Sequence, residues 1–329
     1  MVGRPTREEI YDKLDQAFEE LNDRMGGLPN PVEAEDIWTT IWYQEAHHST
    51  ALEGNTLVLN QVEKLLAEGR AVGNKELREY MEVRGYADAA KWVYSQGLEP
   101  DAWTTGELIT LTEVRQIHAM ALGPVWNVAP HPQATERETP GSFREHDIQP
   151  FPDGMVPPSW VEVPASIGEW IEEVRAVPRV DRPIQALAGA HNHFERIHPF
   201  LDGNGRTGRL VLNLMLVRLG YAPVIIYKRD RDRYLKALRS ADRGDLGPLG
   251  ELVARAVIDN LYRFIVPAVA GPNRLVPLAA LTSADMKEGA LRIAANRGRL
   301  KAQKGDDGHW RSTKAWVDAY IADRHRRKA

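Results

Sequence analysis

The spacing of apolar side chains predicts a mostly helical chain. A capping-box pattern at Thr6 and Glu9 opens a helix that runs to about Met25. A second helix is expected near 36–54, where Gly54 can supply a left-handed stop. Further helices are expected at about 74–95, 105–122, 165–177, 182–197, 206–219, 230–240 and 248–266.

Strand signals are few. Residues 139–158 are rich in Pro and Gly, with alternating positions around Phe143 and Ile148, and suit a hairpin or flap. A short apolar run at Val224–Tyr227 lies between a proline and a charged stretch. The expected fold class is therefore mainly α, a helical bundle with a short β-hairpin flap.

The length of 329 residues exceeds what one core usually supports, so more than one domain is expected. A Pro- and Gly-containing segment near 267–275 has the composition of a linker. The predicted divisions are an N-terminal helical region at 1–34, a main domain at 35–266, the linker at 267–275 and a small module at 276–329.

Charge and cysteine content narrow the picture. The net charge is −4, yet from Ala290 onwards there are 11 Lys/Arg against 4 Asp/Glu, which leaves 31 against 42 elsewhere. An acidic body with a basic tail suggests that only the tail meets a polyanion. The chain has no cysteine, no signal-peptide pattern at its first residues and no apolar run long enough for a membrane span, so a cytoplasmic location is expected.

Residues 198–209, His-Pro-Phe-Leu-Asp-Gly-Asn-Gly-Arg-Thr-Gly-Arg, carry the strongest chemical signal. Three glycines in six residues leave room for a phosphate, and successive backbone N–H groups there form an anion-binding nest. A helix beginning at about Arg206 adds its dipole, and Arg206 and Arg209 can clamp phosphate oxygens. His198 can deprotonate a hydroxyl and Asp202 can hold Mg²⁺. The segment is interpreted as a nucleotide-phosphate active site.

Two commoner glycine-loop interpretations fit less well. The spacing of Gly203 and Gly208 matches a P-loop, but Arg209 follows where a P-loop has lysine. A dinucleotide fingerprint also matches, with Asp230 near the position of a ribose-binding acid. That fingerprint has to follow a strand, whereas residues 184–197 have a helical pattern.

Structural alternatives apply to the polar side chains. Taken singly, His198 would be a turn residue before a proline and Asp202 a helix cap; beside the glycine nest, a chemical role is favoured. His191 and His193 could join them in a zinc site, but positions two apart on a helix face different sides.

The loop matches the motif HPFx[D/E]GNGRxxR at every specified position, and on this motif the chain resembles the Fic family. The resemblance covers about 35–265 and implies a helical Fic fold that moves AMP from ATP to a protein hydroxyl. It implies that His198 is the general base and that Asp202 binds the metal, Mg²⁺. It further implies that Phe200 anchors the loop, and that the nucleotide is bound by Gly203, Asn204, Gly205, Arg206 and Arg209.

A second motif match lies at Ser49-Thr-Ala-Leu-Glu-Gly54, which resembles the inhibitory motif [S/T]xxxE[G/N] of the same family, in the subclass with an N-terminal inhibitory helix. The alternative is an exposed helix end with Gly54 as its stop. The resemblance implies that Ser49, Glu53 and Gly54 are regulatory: Glu53 would pair with Arg209 and keep it from the γ-phosphate. Residues near 141–158 resemble the flap that holds the target protein by strand-like pairing.

The tail resembles the winged helix-turn-helix of excisionase and MerR-like proteins. Expected elements are short helices at Leu275–Leu281 and 286–297, a turn at 305–308 and a last helix at 313–324, with Arg292 to Lys304 facing DNA. A basic protein-interaction module or a solvated helical tail is the alternative.

The leading functional hypothesis is an autoinhibited protein adenylyltransferase with ATP and Mg²⁺ as cofactors and an unidentified target protein as partner. DNA is the expected partner of 276–329, no membrane is expected, and a homodimer is left open. Three alternatives remain: removal of AMP, transfer of another nucleotide or phosphate-containing group, and a DNA-binding regulator whose body only senses nucleotide.

Overall fold

The computed structural model describes residues 5–31, 34–98, 107–148, 155–283, 286–305 and 308–326. Within these ranges the chain is mainly helical, which confirms the predicted mainly α class. None of the described helices combines the length and apolarity that a membrane span requires. The α-helices are α1 (Arg7–Met25), α2 (Glu35–Leu52), α3 (Leu59–Glu68), α4 (Leu77–Leu98), α5 (Leu111–Trp126), α6 (Val163–Ala176), α7 (Pro183–Ile197), α8 (Asn204–Arg218), α9 (Arg231–Asp242), α10 (Gly247–Asn260), α11 (Val266–Val269), α12 (Glu288–Asn296) and α13 (Lys314–Arg326).

Short helical turns connect several of these helices. Three 3₁₀ turns lie in the bundle at Trp160–Glu162, Val177–Arg179 and Lys228–Asp230, and a fourth, Leu278–Leu281, follows it. A π-helical turn at Leu261–Ile265 joins α10 to α11. Helix α11 includes the first residues of the predicted linker at 267–275, so part of that linker is helical.

Side-chain caps set where helices begin. The predicted capping box is present at the start of α1, where Thr6 Oγ1 accepts from the Glu9 N–H at 3.2 Å and the Glu9 carboxylate accepts from the Thr6 N–H at 2.7 Å. A second box at Thr110 and Glu113 opens α5. Each box satisfies two backbone N–H groups that the first turn of a helix leaves without partners.

Helices α4, α5 and α8 form the centre of the bundle. Gly85 lets α4 approach the backbone of α5 at Ala121, because a side chain at this position would collide with the carbonyl of Ala121. The largest buried side chains of the bundle include Trp38, Trp170, Tyr86, Tyr94, Phe194 and Phe200. The core extends from α1 to the residues that follow α11.

The apolar run at 224–227 is buried and extended without being a strand. Asn213 on α8 replaces the missing strand partner: its Nδ2 donates to the Val224 carbonyl at 3.0 Å, and its Oδ1 accepts from the Val224 N–H at 2.7 Å. One amide side chain therefore satisfies backbone groups that would otherwise be unpaired in the core.

The predicted hairpin at 139–158 is not a strand pair in its described part. Residues 139–148 and 155–158 form turns and coil, and 149–154 lie outside the described residues. Here the backbone bonds to other parts of the chain: the Arg144 N–H donates to the Pro199 carbonyl at 3.0 Å, and the Gly141 N–H donates to His118 Nδ1 at 2.7 Å. Those partners replace the cross-strand ladder that alternation suggested.

The described strands lie in the C-terminal part. Strands β1 (Val276–Pro277), β2 (Gln303–Lys304) and β3 (Trp310–Ser312) form an antiparallel sheet in the order β1-β3-β2. The predicted helix at Leu275–Leu281 is thus partly wrong, because its first residues pair with β3: Val276 lies opposite Ser312. That pairing joins residues far apart in sequence.

A small second core lies beneath this sheet. It contains Leu278, Met286, Leu291, Ala294, Ala295, Leu300 and Val317. The module also contacts α1: Arg311 Nη1 donates to Glu20 Oε1 at 2.5 Å, and Arg274 Nη1 donates to the Arg24 carbonyl at 2.5 Å. Helix α1 is therefore shared between the bundle and the C-terminal part.

A buried carboxyl group joins α2 to the centre of the bundle. Glu45 accepts hydrogen bonds from the hydroxyls of Tyr86, at 2.7 Å, and Tyr94, and from Asn213 Nδ2 at 2.7 Å. Burial raises the pKa of Glu45 to about 7, while these donors and the charge of Arg209 oppose the rise. Because Asn213 also holds Val224, one network fixes both α2 and the segment after α8.

We expect Glu45→Ala to lower the free energy of unfolding by about 2–4 kcal/mol, because it leaves buried donors without an acceptor. Glu45→Gln keeps an acceptor and should cost less. Urea unfolding at pH 7 measures both, with the exposed Glu35→Ala on the same helix as the control. Equal stability of Glu45→Ala and the control would contradict this account.

Candidate active site

The loop between α7 and α8 is built around a left-handed histidine. His198 has φ 49°, the only positive value among the described non-glycine residues, and its N–H donates to the Phe194 carbonyl at 3.1 Å to end α7. Pro199 follows and cannot continue the helix. Left-handed backbone costs about 1 kcal/mol or more in a residue other than glycine, and such strain is often found at functional sites.

Asn204 closes the loop on itself. Its Oδ1 accepts from the Phe200 N–H at 2.9 Å, and its Nδ2 donates to the Phe200 carbonyl at 2.7 Å. Phe200 is buried and stacks on His118, with ring centroids 3.7 Å apart and an interplanar angle of 7°. The loop is thus anchored in the core by Phe200, as the motif resemblance implied.

His118 and Arg144 hold the loop from outside the motif, and sequence reasoning assigned neither of them a role. His118 Nδ1 accepts from the Gly141 N–H, so its Nε2 carries the proton and donates to the Asp202 carbonyl at 2.9 Å. Arg144 is buried, and its Nε donates to the His198 carbonyl at 2.9 Å. A single sequence gives no local signal for these contacts, since they join residues 23, 54 and 84 positions apart.

The start of α8 presents backbone N–H groups to the site. Gly203 has φ 78°, and a side chain there would collide with Leu122. The first helical hydrogen bond runs from the Thr207 N–H to the Gly203 carbonyl at 2.9 Å. The N–H groups of the first turn, from Asn204 to Arg206, have no helical acceptor and suit an anion.

Asp202 lies at the edge of this turn. Its Oδ1 accepts from the Gly203 N–H at 2.6 Å and from Arg206 Nη2 at 2.9 Å. Burial alone would raise the pKa of Asp202, but Arg206 and the Gly203 N–H outweigh burial and lower it. The carboxylate is therefore ionised at neutral pH. Arg206, predicted to hold phosphate, pairs with Asp202 in this structure.

Arg209 is buried and engaged by the end of α2. Its Nη2 donates to Glu53 Oε1 at 2.7 Å and to the Ser49 carbonyl at 3.1 Å, and its Nε donates to Ser49 Oγ at 2.7 Å. The Glu53 side chain is 44% exposed. Although burial would raise the pKa of Glu53, Arg209 lowers it. Gly205 lies beside this pair, and a Cβ there would be 2.5 Å from Glu53 Oε1.

His198 is poised to accept a proton. Its Nδ1 lies 3.2 Å from the Glu195 carbonyl, which can only accept, so Nδ1 carries the proton and the ring lone pair is on Nε2. Burial lowers the pKa of His198 to about 4, against the opposing effect of that hydrogen bond. The ring is neutral at pH 7, the form that a general base requires.

These groups border one cavity of about 440 Å³. It is lined by Glu53, His198, Gly205 and Arg209 from the site described above. One face of α9 lines the other side, through Arg231, Tyr234, Leu235, Leu238, Arg239 and Asp242. The volume and the mixture of apolar and charged walls suit a nucleotide-sized ligand.

The zinc alternative is not supported. His191 Nε2 bonds to the Tyr234 hydroxyl at 2.7 Å inside the bundle, whereas His193 Nδ1 pairs with Glu173 at 2.6 Å on the surface. The two rings therefore point apart, as the helical spacing predicted. Within the part of the chain that the structure describes, there is no cluster of three or more His, Asp or Glu side chains that could hold a metal ion.

Comparison with known proteins agrees with this geometry. The Fic/DOC family profile matches residues 108–216, which include the loop and most of α8. The chain therefore carries a domain of the Fic/DOC family. It is 32% identical over 252 residues to protein adenylyltransferase Fic of Nematostella vectensis, covering 75% of this chain and 54% of that protein. It is 30% identical to the protein of the same name from Aedes aegypti, covering 77% and 49%. The chain thus spans about half the length of these relatives.

Solved structures show the same fold. Fic-1 from C. elegans superposes with a TM-score of 0.65 and 26% identity, covering 78% of this chain and 71% of that one. A Fic family protein from Desulfovibrio desulfuricans has a TM-score of 0.57 and 20% identity, covering 94% and 97%. The second likeness concerns the fold alone, and it extends over nearly the whole chain.

We expect Asn204→Ala to lower the free energy of unfolding by about 1–3 kcal/mol, because both backbone groups of buried Phe200 lose their partner. The loop should also lose its shape, so nucleotide affinity should fall. Urea unfolding and calorimetric titration with ATP measure the two effects. Unchanged stability and affinity would show that the hydrogen bonds between Asn204 and Phe200 are dispensable.

Proposed function

We propose that this chain is an autoinhibited protein adenylyltransferase that moves AMP from ATP to a Ser, Thr or Tyr hydroxyl of a target protein. The observation that carries the proposal is that the loop before α8 brings three groups together. The neutral His198 and the backbone of Gly205 line the cavity, and the ionised Asp202 lies at the edge of the same first turn of α8. The names of the relatives support the same activity. A cytoplasmic location belongs to the proposal, since a chain without cysteine is suited to a reducing compartment.

The proposed reaction uses His198 as the base. Nε2 takes the proton of the target hydroxyl while the hydroxyl oxygen attacks the α-phosphorus of ATP. An O–P bond forms, the bond from the α-phosphorus to the bridging oxygen breaks, and pyrophosphate leaves. The N–H groups of Asn204, Gly205 and Arg206 receive the phosphate charge, while the Gly203 N–H holds Asp202, and His198 returns its proton to solvent.

The residues present fit Mg²⁺ as the metal of this reaction. Mg²⁺ commonly takes one or two carboxylates together with phosphate oxygens and waters, and Asp202 provides one ionised carboxylate beside the phosphate nest. When bound, the ion would neutralise charge on the α- and β-phosphates. The contacts of Oδ1 with Gly203 and Arg206 orient the carboxylate for this role.

Glu53 supplies the inhibition in this proposal. In the resting site Glu53 accepts a hydrogen bond from Arg209 Nη2. The same guanidinium is proposed to bind the triphosphate. Ser49 holds the other side of that guanidinium through Oγ. ATP that binds without Arg209 would place its phosphates unproductively, so the pair reduces transfer without blocking the cavity.

The target protein is proposed to dock near 141–158. The described part of this segment is fixed at its base, because buried Arg144 also donates to the Pro158 carbonyl at 2.6 Å. Val156 within the segment, and Trp160 and Val161 just after it, expose apolar surface. A fixed base and an exposed edge suit a segment that positions the hydroxyl of another protein.

We expect Glu53→Gly to raise labelling of the protein by α-labelled ATP about tenfold, equivalent to roughly 1.4 kcal/mol, because Arg209 becomes free for the γ-phosphate. Adding His198→Ala to Glu53→Gly should abolish the signal. Radiolabel incorporation measured over time decides both.

Glu68→Gly is the matched control, since Glu68 also ends a helix immediately before a left-handed glycine, Gly69. Its labelling should equal that of the unmodified chain. Equal labelling by Glu53→Gly and Glu68→Gly would remove the case for inhibition by Glu53. Labelling that survives His198→Ala would remove the case for the base.

We further propose that 276–329 binds DNA as a winged helix-turn-helix-like module, separate in role from a Fic domain at 35–266. The three-stranded sheet, with α12 placed before the β2–β3 hairpin, supports the resemblance seen in the sequence. The side chains of Arg292, Arg297, Arg299, Lys301 and Lys304 are exposed along α12 and the hairpin. A homodimer would present two such modules, as a two-fold symmetric site requires.

We expect the full chain to bind duplex DNA with an affinity that falls steeply between 50 and 200 mM salt. The double variant Arg297→Ala/Arg299→Ala should reduce the slope of log K against log salt by about 2. Fluorescence anisotropy with a labelled 30-base-pair duplex measures this, and Arg70→Ala on the bundle surface is the control. Absence of binding at the lowest salt would overturn the DNA proposal and leave the transferase proposal intact.

A further inference from the structure

The buried guanidinium of Arg209 faces more carboxyl groups than it can neutralise. Glu53 forms the direct pair at 2.7 Å. The charge of Arg209 also acts on Glu45 from α2 and on Glu195 from α7. Glu45 has three hydrogen-bond donors of its own, so Glu195 is the carboxyl whose charge is left uncompensated.

The Oε1 atom of Glu195 is buried. The side chain is 13% exposed and lines the cavity, but Oε1 is shielded from solvent and has no hydrogen-bond donor among the described residues. This oxygen lies against Gly208 so closely that a side chain at 208 would collide with it. An ionised oxygen without a donor is costly in such a place, so the structure favours the neutral acid.

The neighbouring cations do not change this conclusion. His191 Nε2 lies 3.9 Å from Glu195 Oε1, but this nitrogen bonds to the Tyr234 hydroxyl. Burial lowers the pKa of His191 to about 3, so the ring is neutral. Arg209, whose charge acts on Glu195, is held by Glu53. Burial therefore raises the pKa of Glu195 to about 7, with Arg209 opposing and Glu53 adding to the rise.

A triphosphate bound at Arg209 would bring several negative charges to this place. If Glu53 withdraws first, an ionised Glu195 can pair with Arg209 and compete with the phosphate. A neutral Glu195 leaves Arg209 to the nucleotide and adds no repulsion. The two forms of one side chain therefore differ in how well they accommodate the same ligand.

We propose that Glu195 is a nucleotide-binding residue that has to be protonated for the triphosphate to occupy Arg209, so that binding takes up one proton from solvent at this carboxyl group. This inference deepens the proposed function and rests on it, since it takes Arg209 as the phosphate ligand. Its sign follows from linkage: nucleotide binding raises the pKa of Glu195, so affinity falls as pH rises through the pKa of the free protein.

The other titratable groups near Glu195 do not titrate across pH 6–8. His191 on α7 and His198 after it have pKa values of about 3 and about 4, and burial raises the pKa of Tyr234 on α9 far above this range. Glu53, which follows α2, has a lowered pKa and stays ionised. Glu45 interacts with the same guanidinium and has a pKa of about 7, so the experiment includes a variant of it.

The test uses the full chain carrying Glu53→Gly, titrated calorimetrically with α,β-methylene ATP and Mg²⁺ at pH 6, 7 and 8. We expect Kd to rise at least about tenfold from pH 6 to pH 8, because loss of the Glu53 charge lowers the pKa of Glu195 from its value of about 7 in the resting site. Titration at pH 8 in two buffers of different ionisation enthalpy should show proton uptake. Adding Glu195→Gln, which mimics the neutral acid, should flatten the Kd profile and remove most of that uptake.

Glu53→Gly/Glu45→Gln is the matched control and should keep the pH dependence of Glu53→Gly. Comparison among variants cancels the titration of the nucleotide itself, and thermal unfolding of each variant checks its fold. Identical profiles with and without Glu195→Gln would overturn the inference while leaving the proposed function standing. Loss of the dependence in the Glu45 variant would also overturn it. No nucleotide binding by any variant would overturn the proposed function together with this inference.

Discussion

The structure depends on the burial of one cation, Arg209, at the point where α2, α7 and α8 meet. A guanidinium out of water is tolerated only when its charge and its N–H groups are satisfied. Ser49 and Glu53, at the end of α2, accept hydrogen bonds from the guanidinium, and Glu195 of α7 lies near it. The phosphate nest begins one turn earlier on the same helix, α8. Because buried Arg209 requires a counter-charge, the Glu53–Arg209 pair of the resting site depends on the packing of α2 against α8.

Local patterns in the sequence predicted what local physics determines. The capping box at Thr6 and Glu9, the left-handed stop at Gly54 and the loop at 198–209 depend on neighbours a few residues apart, and each has the structure expected. The pairing of Glu53 with Arg209 was inferred from two motif matches rather than from spacing, and the two side chains are in contact.

Sequence patterns failed to predict the structure where contacts between distant residues determine it. Alternation around Phe143 suggested a hairpin, but the backbone at 141–144 bonds to His118 and Pro199 instead. Val276 pairs with a strand more than 30 residues away, which no helix pattern reveals. Glu45 lies in an ordinary helical stretch, and only its burial among Tyr and Asn donors shows its role.

The end of α2 has a mechanical consequence. On one side of Glu53, Leu52 is buried and its carbonyl accepts from Arg231 at 2.8 Å; on the other, buried Asn55 donates to the Glu79 carbonyl at 2.9 Å. With both neighbours tied down, the backbone has little room to unwind. The carboxylate can still leave Arg209 by rotating its own side chain, which is partly exposed to solvent. Rotamer changes of exposed side chains take picoseconds to nanoseconds, far faster than helix unfolding. The proposed inhibition is thus a rapid equilibrium between paired and unpaired Glu53 on a rigid backbone. Any anion that competes for Arg209 can bind the molecules in which Glu53 is unpaired.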